Sequence, residues 1–289
     1  MLPASAISFS AINQELGYTS NQQLSVNDSR IRRLAATGNS GQNQSGGTTF
    51  SVSNLLSRSR NFVNITGTTV NFHLYNYVAG TGNYSAGKNW TIMQNNSGVV
   101  MGGSDTGRYG LITTGNSGDI VDIYNYGYIV GCGGYGGKGE GGNGYNRGSA
   151  EGGYGGGSGG NALYANYPIN VWNYGAIWGG GGGGGGGVGS NSGGKSRGPR
   201  YGGSGGGGAG YYNGPGGAGA VNNEQGTGPG GSAGSLDAGG APSINGGYGG
   251  GPGNGGDSPY YGGGAAGYWA IGSGNISWGN VGDVRGQTG

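Results

Sequence analysis

The chain has 289 residues, of which 84 are glycine, while only 32% are hydrophobic and 8% are charged. Globular domains contain about 7% glycine, about 45–50% apolar and about 25% charged residues, so one conventional core cannot extend over the whole length. The formal net charge is +2 without a dense basic stripe, which argues against nucleic acid as a partner. No run of about 18 apolar residues is present, so no membrane insertion is expected.

Residues 1–60 predict a small module with short helices. Ile7 and Phe9 alternate and lead into Ser10 as a helix N-cap, and residues 50–55 repeat this pattern. Residues 28–34 predict another capped helical turn. Each arginine of this region alone is typical of a solvated surface. As a group they are candidates for a protein–protein contact, and they comprise Arg30, Arg32, Arg33, Arg58 and Arg60.

Residues 61–130 predict short β-strands that form a platform. Apolar residues alternate at 62–65, 70–74 and 90–92, which is typical of strands with one buried face. His73 is the only histidine, and it lies between two apolar neighbours that face the other way. We therefore expect a structural, solvent-facing histidine and not a metal ligand.

Glycine dominates residues 131–267, where it makes up 61 of 137 positions against 17 in the first 130. Several runs repeat every three residues, as in Cys132, Tyr135 and Lys138 separated by glycine pairs. A period of three is typical of the polyproline II helix, and two glycine edges allow neighbouring helices to approach closely. A flexible glycine–serine linker would lack the regular aromatic residues, and collagen would need an unbroken, proline-rich repeat.

Two segments of the sequence match without gaps at a spacing of 48 residues. Ile123, Asn125, Gly127, Ile129 and Gly131 recur as residues 171, 173, 175, 177 and 179, and residues 96–102 and 274–279 are partial copies. Apolar alternation around an Asn-x-Gly turn predicts short strands joined by a tight corner.

The expected fold is therefore mainly β and irregular. It combines a small N-terminal attachment module, a short β-strand platform and an antiparallel bundle of glycine-rich polyproline II helices. The predicted domains are residues 1–60, 61–130, 131–267 and 268–289, the last returning to the platform.

These features resemble the glycine-rich tip adhesins of T-even-type bacteriophage long tail fibres. The resemblance rests on the glycine runs and their Asn-x-Gly lead-ins, and residues 7–34 resemble a short module at the start of many phage virion proteins. It implies a virion protein of the tail fibre or tail tip that binds a host-surface receptor, either an outer-membrane protein or a polysaccharide. The N-terminal module would bind another virion protein through the five arginines.

Alternating helix directions predict where the receptor-binding loops lie. The first glycine helix should run away from the platform and the second should return, so that residues 143–151, 190–201, 221–225 and 257–261 share the distal tip. Tyrosine and arginine are frequent anchors of recognition surfaces. The predicted receptor-binding residues are Tyr145, Arg147, Lys195, Arg197, Arg200, Tyr201, Asn222, Asn223, Glu224, Asp257, Tyr260 and Tyr261.

Other functions fit the sequence less well. An enzyme is not expected, because the single histidine and the single cysteine fall in different predicted domains and the carboxylates are isolated. No catalytic residue, cofactor or metal is therefore predicted, and Cys132 is expected to be structural. A purely structural virion protein, either a capsid decoration or a tail spacer, remains the alternative. An ice-binding or cell-wall glycine protein would leave the N-terminal module unexplained.

Overall fold

Fifteen β-strands, three short α-helices and a 3₁₀ helix at Ser273–Asn275 make up the regular structure in the described part of the computed structural model. None of these helices has the length and hydropathy of a membrane span. The described residues are 1–2, 8–20, 22–23, 25, 28–35, 55, 57–82, 84–139, 153–187, 203–211, 230–243 and 246–289.

The strands form three five-stranded parallel sheets, and each successive group of three strands supplies one strand to every sheet. The chain therefore winds through five coils around a shared interior, as a three-sided parallel β-solenoid. We call the sheets A, B and C in the order in which each coil visits them. Coil 1 consists of β1 (Ser59–Ile65), β2 (Thr69–Val70) and β3 (Phe72–His73), and coil 2 of β4 (Asn89–Asn95), β5 (Val100–Gly102) and β6 (Tyr109–Thr113). Coil 3 consists of β7 (Ile120–Asn125), β8 (Tyr128–Val130) and β9 (Asn161–Ala165), and coil 4 of β10 (Ile169–Asn173), β11 (Ala176–Trp178) and β12 (Tyr268–Ile271). Coil 5 consists of β13 (Ile276–Asn280), β14 (Asp283–Arg285) and β15 (Gln287–Thr288).

The interior of the solenoid is apolar and is filled from all three sheets. Met93 and Ile123 enter from sheet A, Ile129 from sheet B, and Leu111 and Leu163 from sheet C, and all five are fully buried. Parallel strands stacked in register bring equivalent residues of successive coils together, so the core continues from coil to coil.

Three helices flank this solenoid. Helices α1 (Phe9–Glu15) and α2 (Ser29–Ala35) precede it, and α3 (Leu74–Gly80) follows coil 1 and closes one end of the core. The predicted cap of α1, Ser10, is wrong: the cap is Ser8, whose Oγ accepts a hydrogen bond from the Ala11 N–H at 3.1 Å. His73 caps α3 by accepting a hydrogen bond from the Asn76 N–H at 3.3 Å, which is a structural role.

A buried asparagine ladder joins successive coils at the corner between sheets A and B. The Asn95 Nδ2 donates to the Asn125 Oδ1 at 2.8 Å, and the Asn125 Nδ2 donates to the Asn173 Oδ1 at 2.7 Å. The glycine that follows each of the last two asparagines lies so close to the preceding coil that a Cβ would overlap its backbone, as at Gly127 and Val99. The Asn-x-Gly repeat of the sequence is therefore a stacked corner of the solenoid.

The N-terminal helices pack on the outward side of sheet A. Ile12, Leu16 and Leu34 share a buried apolar cluster with Trp90 and Ile120 of strands β4 and β7. The N-terminal module and the solenoid therefore bury surface against each other.

The predicted fold class is wrong. The described chain is organised by three parallel five-stranded sheets, where we expected a short platform under an antiparallel bundle of polyproline II helices. The described glycine-rich segments contain no α-helix, 3₁₀-helix or π-helix, and they are insertions into coils 3 and 4. These insertions conceal the regular coil repeat in the sequence, which is why the solenoid was missed.

Candidate functional site

The glycine-rich segments all leave the solenoid at one corner. They connect sheet B to sheet C, between β8 and β9 in coil 3 and between β11 and β12 in coil 4. The same corner of coil 2 is closed by the short connection 103–108. Because the insertions share one corner, they lie side by side, and we call the group that they form the glycine array.

The nine consecutive glycines Gly179–Gly187 form the centre of the array. Hydrogen bonds to each neighbour recur at every third residue, as from Gly134 N–H to the Gly181 carbonyl and from Gly137 N–H to the Gly184 carbonyl, at 2.8 and 2.7 Å. Two of the six neighbours run in the same direction as the centre and four run in the opposite direction. The six neighbours are residues 131–139, 153–160, 203–211, 246–253, 254–257 and 262–267.

This coordination explains why the central segment carries no side chain. A Cβ on Gly180 would overlap the Cys132 carbonyl, and one on Gly183 would overlap the Tyr135 carbonyl. These obstacles are backbone atoms, which cannot rotate away. In the neighbouring segment 131–139, Tyr135 is 64% exposed, so its side chain points away from the centre of the array.

The array has a basal end at the solenoid and a distal end. Gly179 directly follows β11 and Gly267 directly precedes β12, so both lie at the base. At the other end, the Gly187 N–H donates to the Gly203 carbonyl at 2.8 Å and the Gly185 N–H donates to the Asp257 carbonyl at 2.9 Å.

Three of the predicted receptor-binding residues lie within the described part, and all three are at the distal end. Tyr260 is 69% exposed, Asp257 is also exposed, and the Tyr261 N–H contacts the Gly186 carbonyl. The other nine lie outside the described residues: Tyr145, Arg147, Lys195, Arg197, Arg200, Tyr201, Asn222, Asn223 and Glu224. The described residues flanking 140–152 and 188–202 are all at the distal end, whereas Tyr211, which precedes 212–229, is at the base.

Two further tyrosines near the distal end were missed from the sequence. Tyr154 and Tyr248 are both more than half exposed, and they are linked by backbone hydrogen bonds to Lys138 and Asp257 respectively. Both lie outside the four predicted tip loops, within residues 131–267, where glycine dominates. An aromatic residue within a three-residue glycine repeat is the signal that could have identified them.

The predicted attachment arginines have different surroundings. Arg58 is buried and donates to the carbonyls of Gly87 and Gly118, and burial lowers the pKa of its guanidinium although the nearby Asp119 opposes that shift. Arg30 is exposed and lies over the ring of Tyr18 at 4.9 Å. Arg32 is half-buried on α2.

Arg33 and Arg60 fasten the helices to sheet A. Arg33 forms an ion pair with the buried Asp122, whose carboxylate also accepts hydrogen bonds from Trp90 Nε1 at 2.8 Å and Asn170 Nδ2 at 2.6 Å. The Arg60 backbone N–H donates to Glu15, and its guanidinium donates to the Leu16 carbonyl at 3.0 Å. Arg33, Arg58 and Arg60 thus have partners inside the chain.

Cys132 is buried at the base of the array, in the first glycine-rich segment. Burial raises the pKa of the Cys132 thiol to about 11, so the thiol stays protonated at neutral pH. Among the described residues, no three His, Cys, Asp or Glu side chains are grouped as metal ligands.

Together these features define a class, a parallel β-solenoid with a glycine array inserted at one corner. A family model described as phage tail fibre adhesin Gp38 matches residues 60–289, and the chain belongs to this family. It is accordingly a phage tail-fibre adhesin and a component of the virion tail fibre, as the sequence resemblance implied.

A solved structure supports the fold. The crystal structure of the gp37–gp38 adhesin tip complex of the bacteriophage S16 long tail fibre contains a chain with a TM-score of 0.60 and 24% identity, and the match covers 96% of both chains. No curated protein sequence gives a significant match.

Proposed function

We propose that this adhesin binds a host-surface receptor through the distal end of the glycine array. One observation carries the proposal: every glycine-rich insertion leaves the same corner of the solenoid, and the described residues flanking 140–152 and 188–202 meet at the free end. Exposed tyrosines surround that end, and tyrosine supplies large contact area at low entropic cost. The basic residues between Lys195 and Arg200 suit phosphate or acidic groups of an outer-membrane protein or polysaccharide.

The chain attaches to another tail-fibre protein through residues 1–60 in this proposal. The similar S16 chain occurs in a complex with gp37, which supports a fibre protein as the partner. The N-terminal helices lie on sheet A, away from the corner that carries the array, so both contacts can be made at once. The protein has no catalytic role in this proposal.

Exchange of residues 190–201 for a glycine–serine sequence tests receptor binding. Purified variant protein should lose binding to host cells and should no longer block phage adsorption, while its thermal unfolding stays unchanged. The matched control exchanges the basal turn 235–238, in which the Ser235 N–H donates to the Ala238 carbonyl, and binding should persist. Unchanged host-cell binding by the 190–201 variant would overturn the assignment of the receptor contact to this loop. Absence of host-cell binding by the wild-type protein would instead favour a purely structural tail protein.

A further inference from the structure

Two neighbouring segments of the glycine array, 131–139 and 153–160, carry exposed tyrosines along the line where they meet. The Gly157 N–H donates to the Tyr135 carbonyl at 2.8 Å, which fixes the register of the two segments. Hydrogen bonds of the array recur at every third residue, so Tyr154 lies on the same edge of its segment as Gly157. Three extended residues span at most about 10 Å, which places Tyr154 one short step from Tyr135. We call this line the Tyr135–Tyr154 seam.

The ring of Tyr135 lies flat on the neighbouring segment. A Cβ on Gly157 would be 3.0 Å from both the Cε1 and the Cζ of Tyr135 and 3.1 Å from its Cδ1. Three nearly equal distances mean that the ring turns its face to the glycine, because an edge would bring one atom closer than its neighbours. The side chain is 64% exposed, so the opposite face of the ring is open to water.

The paired aromatic rings of sheet A show a different arrangement. Tyr124 and Trp172 stack with their ring centroids 4.8 Å apart and their planes 9° apart, so each ring covers one face of the other. Tyr135 instead covers a glycine, which has no side chain to compete for the outer face. An open ring face is the part of a tyrosine that can receive another flat apolar surface.

The floor of the seam is low between the tyrosines. Gly155 and Ser158 are exposed on the segment that carries Tyr154, and neither has a large side chain. Tyr154 is 64% exposed, and the exposed large apolar side chains of the two segments are both tyrosines. Their hydroxyl groups give the surface apolar faces with polar edges, so a partner with the same combination fits it.

We infer that the Tyr135–Tyr154 seam binds a host-surface polysaccharide along the side of the array, and this rests on the receptor binding proposed above. A pyranose ring has a flat face of C–H groups and a rim of hydroxyl groups. The C–H face packs on an open tyrosine ring, while the hydroxyl groups stay hydrated or bond to polar groups at its edge. The low floor lets a chain of several sugars lie along the seam.

The seam continues to the distal end of the array. The Gly186 N–H donates to the Tyr154 carbonyl at 3.2 Å, and Gly186 lies beside Gly187 at that end. A polysaccharide on the seam and a receptor at the distal loops can therefore be held together. Two contacts on one chain raise the effective concentration for each other, so a weak contact on the seam supports the distal contact without replacing it.

Binding of full-length adhesin to polysaccharide extracted from host cells and freed of protein by protease tests this inference. Tyr135→Ala and Tyr154→Ala should each weaken binding about tenfold, because each removes a face on which a sugar ring packs. Tyr135→Phe keeps the ring face and should bind close to wild type. Tyr77→Ala is the control and should leave binding unchanged, because Tyr77 is 50% exposed on α3 of the solenoid. Tyr154→Ala gives an independent result if Tyr135→Ala lowers the melting temperature.

The same polysaccharide separates this inference from the function on which it rests. The exchange of residues 190–201 leaves the seam intact, so that variant should keep polysaccharide binding while it loses stable attachment to cells. Loss of polysaccharide binding in that variant would move the contact to the distal loops and overturn the seam. Wild-type affinity in the folded double variant of Tyr135 and Tyr154, or no polysaccharide binding by the wild-type chain, would also overturn the seam and leave the distal receptor contact standing.

Discussion

The solenoid and the glycine array solve the same packing problem with opposite means. The solenoid buries side chains, such as Leu163 and Ile177, inside three sheets, and it satisfies its backbone along parallel strands. The array satisfies its backbone in several directions at once, and its central segment excludes side chains altogether. Substitutions that remove buried side-chain atoms should therefore destabilise the solenoid, whereas substitutions that add a side chain to glycine should destabilise the array.

The largest effect is expected from Gly183→Ala at the centre of the array. The added Cβ would overlap the Tyr135 carbonyl, so the free energy of unfolding should fall by more than about 3 kcal/mol. Chemical denaturation measures the change. Gly262→Ala is the control, because no atom lies within 4 Å of its Cβ position. Equal stability of the two variants would contradict the close packing of the central segment.

A smaller loss is expected from Asn125→Ala in the asparagine ladder of the solenoid. The substitution leaves the buried Asn173 Oδ1 and the Ala176 carbonyl without the donor that they share, at a cost of about 2–3 kcal/mol. Asn64→Ala, at an exposed position on the same sheet, should change the melting temperature little. The ladder would be unimportant if the two substitutions had the same effect.

The junction of the two regions supplies a pH-dependent effect. The pKa of the Cys132 thiol rises from 9.0 in the unfolded reference to about 11. The unfolded chain therefore releases this proton first, and stability should fall between pH 9 and pH 11 by up to about 1.4 kcal/mol per pH unit. The measurement is the stability difference between wild type and Cys132→Ala, which removes the tyrosine contribution. A difference that is constant with pH would show that the thiol is not buried in the folded protein.

The smallest effect is expected from Tyr135→Ala on the outside of the array. The ring rests on Gly157 but is 64% exposed, so the free energy of unfolding should change by less than about 0.5 kcal/mol. Leu163→Ala in the solenoid interior provides the contrast, with an expected loss of about 2–5 kcal/mol. A large loss at Tyr135 would show that outer side chains, and not backbone hydrogen bonds, hold the array together.

The sequence predicted local features better than the architecture. The repeat around Asn125 and Asn173 was recognised as a strand corner, and α2 lies where a capped helical turn was expected. The tail-fibre location is confirmed by the family match. These results depend on short-range patterns, such as alternation around an Asn-x-Gly turn, that survive in a single sequence.

The solenoid could not be predicted because its repeat is irregular along the chain. The members of the asparagine ladder, Asn95, Asn125 and Asn173, are separated by 30 and then 48 residues, and the Asn173 Nδ2 donates to the Val281 carbonyl, 108 residues further along the chain. Glycine-rich insertions of unequal length cause this drift. The limit of the apolar cluster under the N-terminal helices could not be predicted either, because the exposed Phe9 follows the same apolar spacing as the buried Ile12.

The hydrogen bonds of the glycine array also have a mechanical consequence. Its segments lie side by side along one axis, and the bonds that join them run across that axis. A pull on the distal end therefore loads many bonds in shear at the same moment, whereas peeling one segment from an edge would load them one after another. Gly179–Gly187 shares such a load among six neighbours. The array should therefore resist deformation when force acts between the solenoid and a molecule bound at the distal end.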